Sequence, residues 1–145
     1  MKTLKKVLAV VLALAMVLGM TSMASAAFAG ETINADYQEA VDVLNAIGVL
    51  TGKGDGKFDP QGTLTRAEGA TIITKLLGQA NFAGKAEYSD AANHWGSSAI
   101  AYVAYAGIAD GIGANKFNPD GVLTGNAFAK WLAAAIGYNV KLEGM

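Results

Sequence analysis

The chain contains a single arginine, Arg66, placed between Thr65 and Glu68 in the run Leu64 to Gly69, "LTRAEG". A guanidinium presents two parallel N–H donors that match a carboxylate, and it stays charged at any physiological pH. At the first position of a helix a cation opposes the macrodipole. Thr65 and Glu68 have the T-x-x-E spacing of a capping box, in which the hydroxyl accepts the N–H of Glu68 and the carboxylate accepts that of Thr65. Capping accounts for both neighbours and leaves Arg66 as the strongest candidate for holding an anionic ligand. Lys53 lies in the run Gly52-Lys53-Gly54-Asp55-Gly56. A phosphate-cradling loop requires a strand before it and a helix directly after, and neither pattern is present. A calcium loop opening at Asp55 would put Lys57 at its third position and Arg66 at its twelfth, where oxygen ligands are needed. The glycines read instead as tight turns that set Lys53 and Gly54 beside a ligand. The one histidine, His94, has no acid–base partner nearby in sequence. Asp55, Asp59 and Glu68, from which a glycosidase pair would be drawn, all have turn or capping roles. Neither a catalytic residue nor a cofactor or metal site follows from this inventory.

The elements that position these residues begin after a leader. Lys2, Lys5 and Lys6 precede an apolar stretch from Val7 to Met20 and then small residues, the order of a secretory signal peptide. That stretch is shorter than the ~20 apolar residues of a membrane span. We expect residues 1–29 to be this leader, with cleavage after Ala26 or after Ala29. Without its three lysines, the 11 basic side chains fall to eight against 12 acidic ones, a net charge of −4. No basic surface for nucleic acid remains, and no membrane partner is expected after cleavage. With no cysteine in an exported chain, disulfide scaffolds and thiolate metal sites are excluded. The mature part, under ~120 residues, allows one small domain with a modest core.

An internal repeat organises the rest. Aligning Gly48 with Gly107 gives an offset of 59 that holds without a gap to Gly78 and Gly137. Gly52, Gly54, Lys57, Phe58, Pro60, Gly62, Leu64 and Thr65 match Gly111, Gly113, Lys116, Phe117, Pro119, Gly121, Leu123 and Thr124. Each copy reads as helix, loop, helix. Ala40, Val41, Leu44 and Ile47 recur at helical spacing, as do Ala99, Ile100, Val103 and Ala106. Gly48 and Gly107 stand where a left-handed C-terminal cap belongs. Turns follow at Pro60-Gln61-Gly62 and Pro119-Asp120-Gly121, and Phe58 and Phe117 pin the loops to the core. The second helix of copy one starts at the Thr65 cap and carries Ile72, Ile73, Leu76 and Leu77. In copy two Thr124 still caps, Ala127 cannot return the bond, and Phe128, Trp131, Leu132 and Ile136 form a more aromatic face. The pattern predicts an all-α module of stacked helix-loop-helix units.

The segment Tyr88 to Thr124 resembles the S-layer homology motif of bacterial cell-surface proteins. Tyr88-Ser89-Asp90, His94-Trp95, Ala99-Ile100, Gly107-Ile108 and Phe117-Asn118-Pro119 fill its first elements, and Thr65-Arg66-Ala67-Glu68 supplies its T-R-A-E helix start. The resemblance implies a three-motif domain of approximate threefold symmetry. Its grooves would bind secondary cell-wall polysaccharide attached to peptidoglycan, often bearing ketal-linked pyruvate. It also implies noncovalent anchoring on a Gram-positive-type envelope without catalysis.

Copy one, residues 30–80, departs from the motif by having Ala35-Asp36 in place of His-Trp and by lacking the aromatic-x-Asp opening. Copy two, residues 86–138, has Gly125-Asn126-Ala127 in place of Arg-Ala-Glu. Residues 139–145 would open a third motif that the sequence does not contain, as expected of a truncated product. Arg66 from one copy, with Asp90 accepting hydroxyl hydrogen bonds and Trp95 offering a ring face to a sugar, would complete one mixed groove. Trp95 packing in the core and Asp90 capping a helix entry are the structural alternatives. A self-association module, in which incomplete repeats complete each other between chains without sugar, is the rival function.

Overall fold

The computed structural model describes residues 28, 30–54 and 56–138; the expected leader, apart from Phe28, the two expected cleavage positions after Ala26 and Ala29, Asp55 and residues 139–145 lie outside them. Among the described residues there are four helices and no strand beyond isolated bridges: α1 (Ala35–Ala46), α2 (Arg66–Leu76), α3 (Ser97–Tyr105) and α4 (Gly125–Ala135). The fold is all-α, and the 59-residue offset relates α2 to α4 at both ends and α1 to α3 at their C-termini.

Helix ends follow the local chemistry. Asn34 caps α1, its Oδ1 accepting from the Asp36 N–H at 3.0 Å. Gly48, Gly78, Gly107 and Gly137 follow the four helices with φ between 67° and 87°, the left-handed geometry that glycine adopts without a Cβ penalty. At α2 the N-terminal donors are fully accounted for. Arg66 N donates to Gly121 O and Ala67 N to Pro119 O, both at 2.9 Å. Glu68 N donates to Thr65 Oγ1 and Gly69 N to Thr65 O, while Glu68 Oε2 accepts from Thr65 N at 2.7 Å. Half of this helix start is therefore satisfied by the other repeat. Leu123 N also donates to Leu64 O at 2.7 Å, beside a Thr65–Val122 bridge. At α4 Thr124 Oγ1 accepts from Ala127 N at 3.3 Å, with no reciprocal bond.

The core is asymmetric. It joins Ala67, Ala70 and Ile73 of α2 to Ala99, Ile100 and Val103 of α3, with Phe117, Leu123 and Trp131 closing it. Helix α1 buries only Val41, and Ile47 of its periodic stripe is 63% exposed. Among the described residues α1 has no helix packed on it, so its stripe stays partly wet. Ile136, just past the end of α4, is 84% exposed.

One contact restricts residue type sharply. Gly69 faces the Leu123 side chain so closely that a Cβ there would overlap it, and Phe128 stands at the equivalent position of copy two. Gly69→Ala should raise helix propensity yet destabilise the fold by about 1–3 kcal/mol, the usual cost of overpacking. Urea denaturation reads this directly, and an unchanged or raised midpoint would show that Leu123 moves aside freely.

Candidate functional site: a groove between the repeats

Arg66 starts α2 and its side chain crosses to the second repeat. Its Nε donates to Phe117 O at 2.8 Å and its Nη2 to Asp110 O at 2.7 Å. The guanidinium carbon lies 4.4 Å from the Phe117 ring centroid and 5.0 Å from that of Trp131. Burial lowers its pKa, against the raising influence of Tyr88 and Asp90, and a guanidinium so placed remains a cation. Two carbonyls and two ring faces hold it, so this side chain joins the repeats.

Asp90 is the partner of the same loop. Its Oδ1 and Oδ2 accept the N–H groups of Phe117 and Asn118, each at 2.9 Å. Burial pushes the carboxyl upward, but these two N–H donors, the Asp90 backbone N–H and the Lys116 charge prevail, holding it below the usual carboxylate range. Stability from such a group is present above the unfolded-state aspartate pKa, ~3.9, and is lost as pH falls through the lower folded value. Asp90→Asn should therefore be less stable than wild type at pH 7, with the gap shrinking in urea melts near pH 3. A gap independent of pH would contradict a charged role for Asp90.

Copy one reproduces this arrangement with residues that the sequence comparison did not pair. Glu31 Oε2 accepts from Phe58 N at 2.9 Å and Asp59 N at 2.7 Å. Phe28 stacks on Phe58 with centroids 4.9 Å apart, as Tyr88 tilts against Phe117 at 5.4 Å. The 59-residue offset puts Asp90 over Glu31 but Tyr88 over Ala29. The aromatic slips by one residue while the carboxylate keeps its register.

Trp95 takes no part in the hydrogen bonds and ring contacts that hold Arg66 and Asp90. It is 66% exposed, so it is not a core residue. The bend before α3 carries it: His94 Nδ1 accepts the Gly96 N–H at 3.1 Å, which places the ring proton on Nε2, facing Asp120 Oδ1 at 3.1 Å. Buried Gly96 rests on Ala67. His94 and Asp120 thus orient the entry to α3, and the His94 ring lies 5.2 Å from that of Trp95.

The groove that Trp95 borders has a volume of about 370 Å³ and is lined by Lys53, Phe58, Leu64, Glu68, Ile72 and Lys75, among others. Arg66, Asp90 and Gly54 do not line it. The structure therefore does not join Arg66, Asp90 and Trp95 in one groove, because Arg66 and Asp90 both serve the Phe117 loop. Gly54 instead closes a small hairpin through its bridge to Lys57. Lys53 Nζ donates to Thr63 O at 2.7 Å and lies 3.7 Å from Asp59 and 3.9 Å from Glu68. Lys75 Nζ reaches Thr51 Oγ1 at 3.4 Å. Lys53 is thus held between two carboxylates, whereas Lys75 has no carboxylate within ion-pair distance among the described residues. Sequence reading missed Lys75, whose equivalent in copy two is Ala134, because helix periodicity gives a lone surface lysine no distinguishing mark.

The two repeats differ here in an informative way. Asp110, Phe117 and Trp131, which hold Arg66, are the equivalents of Thr51, Phe58 and Ile72, which line the groove. Copy two's version of the groove is filled by Arg66; copy one's is open among the described residues.

The family model of the S-layer homology domain matches residues 31–70 and 87–129. The chain belongs to the S-layer homology family. Its two S-layer homology repeats each run from the carboxylate that ties the loop, Glu31 or just before Asp90, into the second helix. The chain is 33% identical over 144 residues to an S-layer protein of Bacillus licheniformis and to the S-layer protein EA1 of Bacillus anthracis, each alignment covering 97% of it. An uncharacterized cell wall amidase of Bacillus anthracis is 36% identical over 96 residues, 66% of the chain. The chain spans only 16–18% of the length of these relatives. S-layer homology repeats and such relatives mark a secreted protein of the bacterial cell surface.

Proposed function

We propose that this chain is a non-catalytic anchor that holds a surface protein on the envelope by binding an acidic secondary cell-wall polysaccharide, with pyruvate ketals as the charged groups. The observation that carries this reading is the groove between the repeats. An exposed Trp95 ring supplies a flat apolar face for a sugar, and Lys53 and Lys75 supply cations for carboxylates. Thr51 and Thr71 add hydroxyls along the same wall. Arg66 contributes by setting the distance between the repeats, and with it the position of Trp95 relative to Lys53.

Purified walls, before and after chemical stripping of the secondary polymer, provide the test. The chain should pellet with intact walls and stay in solution with stripped ones; pelleting that survives stripping would sink the polysaccharide reading. Because both chain and polymer are acidic, attraction rests on local cations. Binding should weaken as salt shortens the screening length below ~8 Å.

A second reading rests on Arg66 filling the equivalent groove of copy two. The open groove of copy one is then covered by a second copy of the chain, whose single arginine stays in its own second repeat, and the chain self-associates. Sedimentation equilibrium separates the two, since the anchor reading requires wall binding by a chain of monomeric mass.

A further inference from the structure

The leader offers two peptidase positions, and the folded first repeat discriminates between them. Ala24-Ser25-Ala26 and Ala27-Phe28-Ala29 both satisfy a leader peptidase that needs small residues one and three positions before the cut. A cut after Ala29 would discard Phe28. That residue is only 5% exposed, and its ring stacks on Phe58 at an interplanar angle of 26°. It also abuts Gly52 so closely that a Cβ there would lie 2.8 Å from its Cε1. Copy two makes the same arrangement independently: Tyr88 covers Phe117 and lies 2.6 Å from a Cβ built on Gly111. The aromatic lid precedes the carboxylate that ties each loop, so lid and tie form one strap. It is present twice in a chain whose repeats are otherwise unequal.

We propose that the mature chain begins at Ala27, the peptidase hydrolysing the Ala26–Ala27 bond so that Phe28 is kept as the lid of the first repeat. In this step the oxygen of water adds to the Ala26 carbonyl carbon and the C–N bond breaks. The leader departs with a carboxylate on Ala26, and Ala27 gains the α-amino group. Cleavage three residues later would remove the ring and put a new ammonium on Gly30, next to Glu31. That charge would compete with the Phe58 and Asp59 N–H groups for the Glu31 carboxylate. The lid packs on Phe58, which lines the open groove.

The full chain, exported from a Gram-positive host, is purified from the culture and its intact mass and N-terminal sequence are measured. Ala27 is the expected first residue; Gly30, or any other first residue, overturns the proposal. A second measurement tests the reason given. Chains starting at Ala27 and at Gly30 are melted side by side, and the shorter is expected to melt about 10 °C lower. Phe28→Ala in the longer chain should reproduce that loss, and Phe28→Tyr, the ring type of copy two, should restore most of it. Equal melting temperatures for the two starts would remove the lid from the argument.

Discussion

Arg66→Ala should destabilise the domain by about 3 kcal/mol. The guanidinium makes two charge-assisted hydrogen bonds to backbone carbonyls, and bonds of that class contribute ~1.5–3 kcal/mol each. It also lies over two aromatic rings, a contact worth ~0.5–2 kcal/mol. Truncation leaves Phe117 O without its side-chain donor and exposes the faces of Phe117 and Trp131, although Asp110, being exposed, rehydrates and returns part of the cost. For a domain near 110 residues a loss of this size corresponds to a melting temperature lower by roughly 12 °C. Arg66→Lys should recover little of it, since one ammonium cannot span both carbonyls in the plane of a fork. The helix itself should survive, because Thr65 and Glu68 cap it locally. Circular dichroism melts of the three chains decide the matter. If Arg66→Ala melts with wild type, the contacts to the second repeat carry no energy and Arg66 is free to serve a ligand.

Trp95→Ala should do the reverse: leave the melting temperature within a few degrees and reduce wall binding at least tenfold, about 1.4 kcal/mol. Two-thirds of the Trp95 surface is exposed in the fold, so little packing is lost on truncation. Anchoring energy in recognition sites concentrates on aromatic residues that become covered when the partner arrives. Trp95→Phe should retain part of the binding, because a smaller ring still offers a flat apolar face. Quantitative pelleting with intact walls, at fixed salt, measures all three. Full binding by Trp95→Ala would move the site away from this groove and disprove the assignment of Lys53 and Lys75 with it.

The contrast between these two residues shows where sequence reasoning reached its limit. Each is a conspicuous side chain at a helix entry, and the sequence pattern puts both in one ligand groove. The fold assigns Arg66 to the joint between repeats and leaves Trp95 facing solvent. Nothing in "LTRAEG" distinguishes these fates. The partners of Arg66 are 44 and 51 residues away, and they are carbonyls, which every residue carries and which leave no compositional trace. Its replacement by Gly125 in copy two fits the same logic, since no further repeat is packed there among the described residues for an arginine to reach.

What the sequence determined by itself is local or repeated. Capping at Thr65 and Thr124, left-handed glycines after each helix, and the all-α class all follow from dihedral preferences and spacings within a few residues. The family could be recognised because its motif elements recur in fixed order. Only the tertiary structure decided how the two units meet. Gly121 O and Pro119 O complete the α2 N-terminus, and Arg66 fills one groove while its equivalent stays open. Phe28 and Glu31 replace an opening that copy one had seemed to lack. These decisions depend on shape complementarity and on backbone groups common to all residues, so they are made when the units pack and not before.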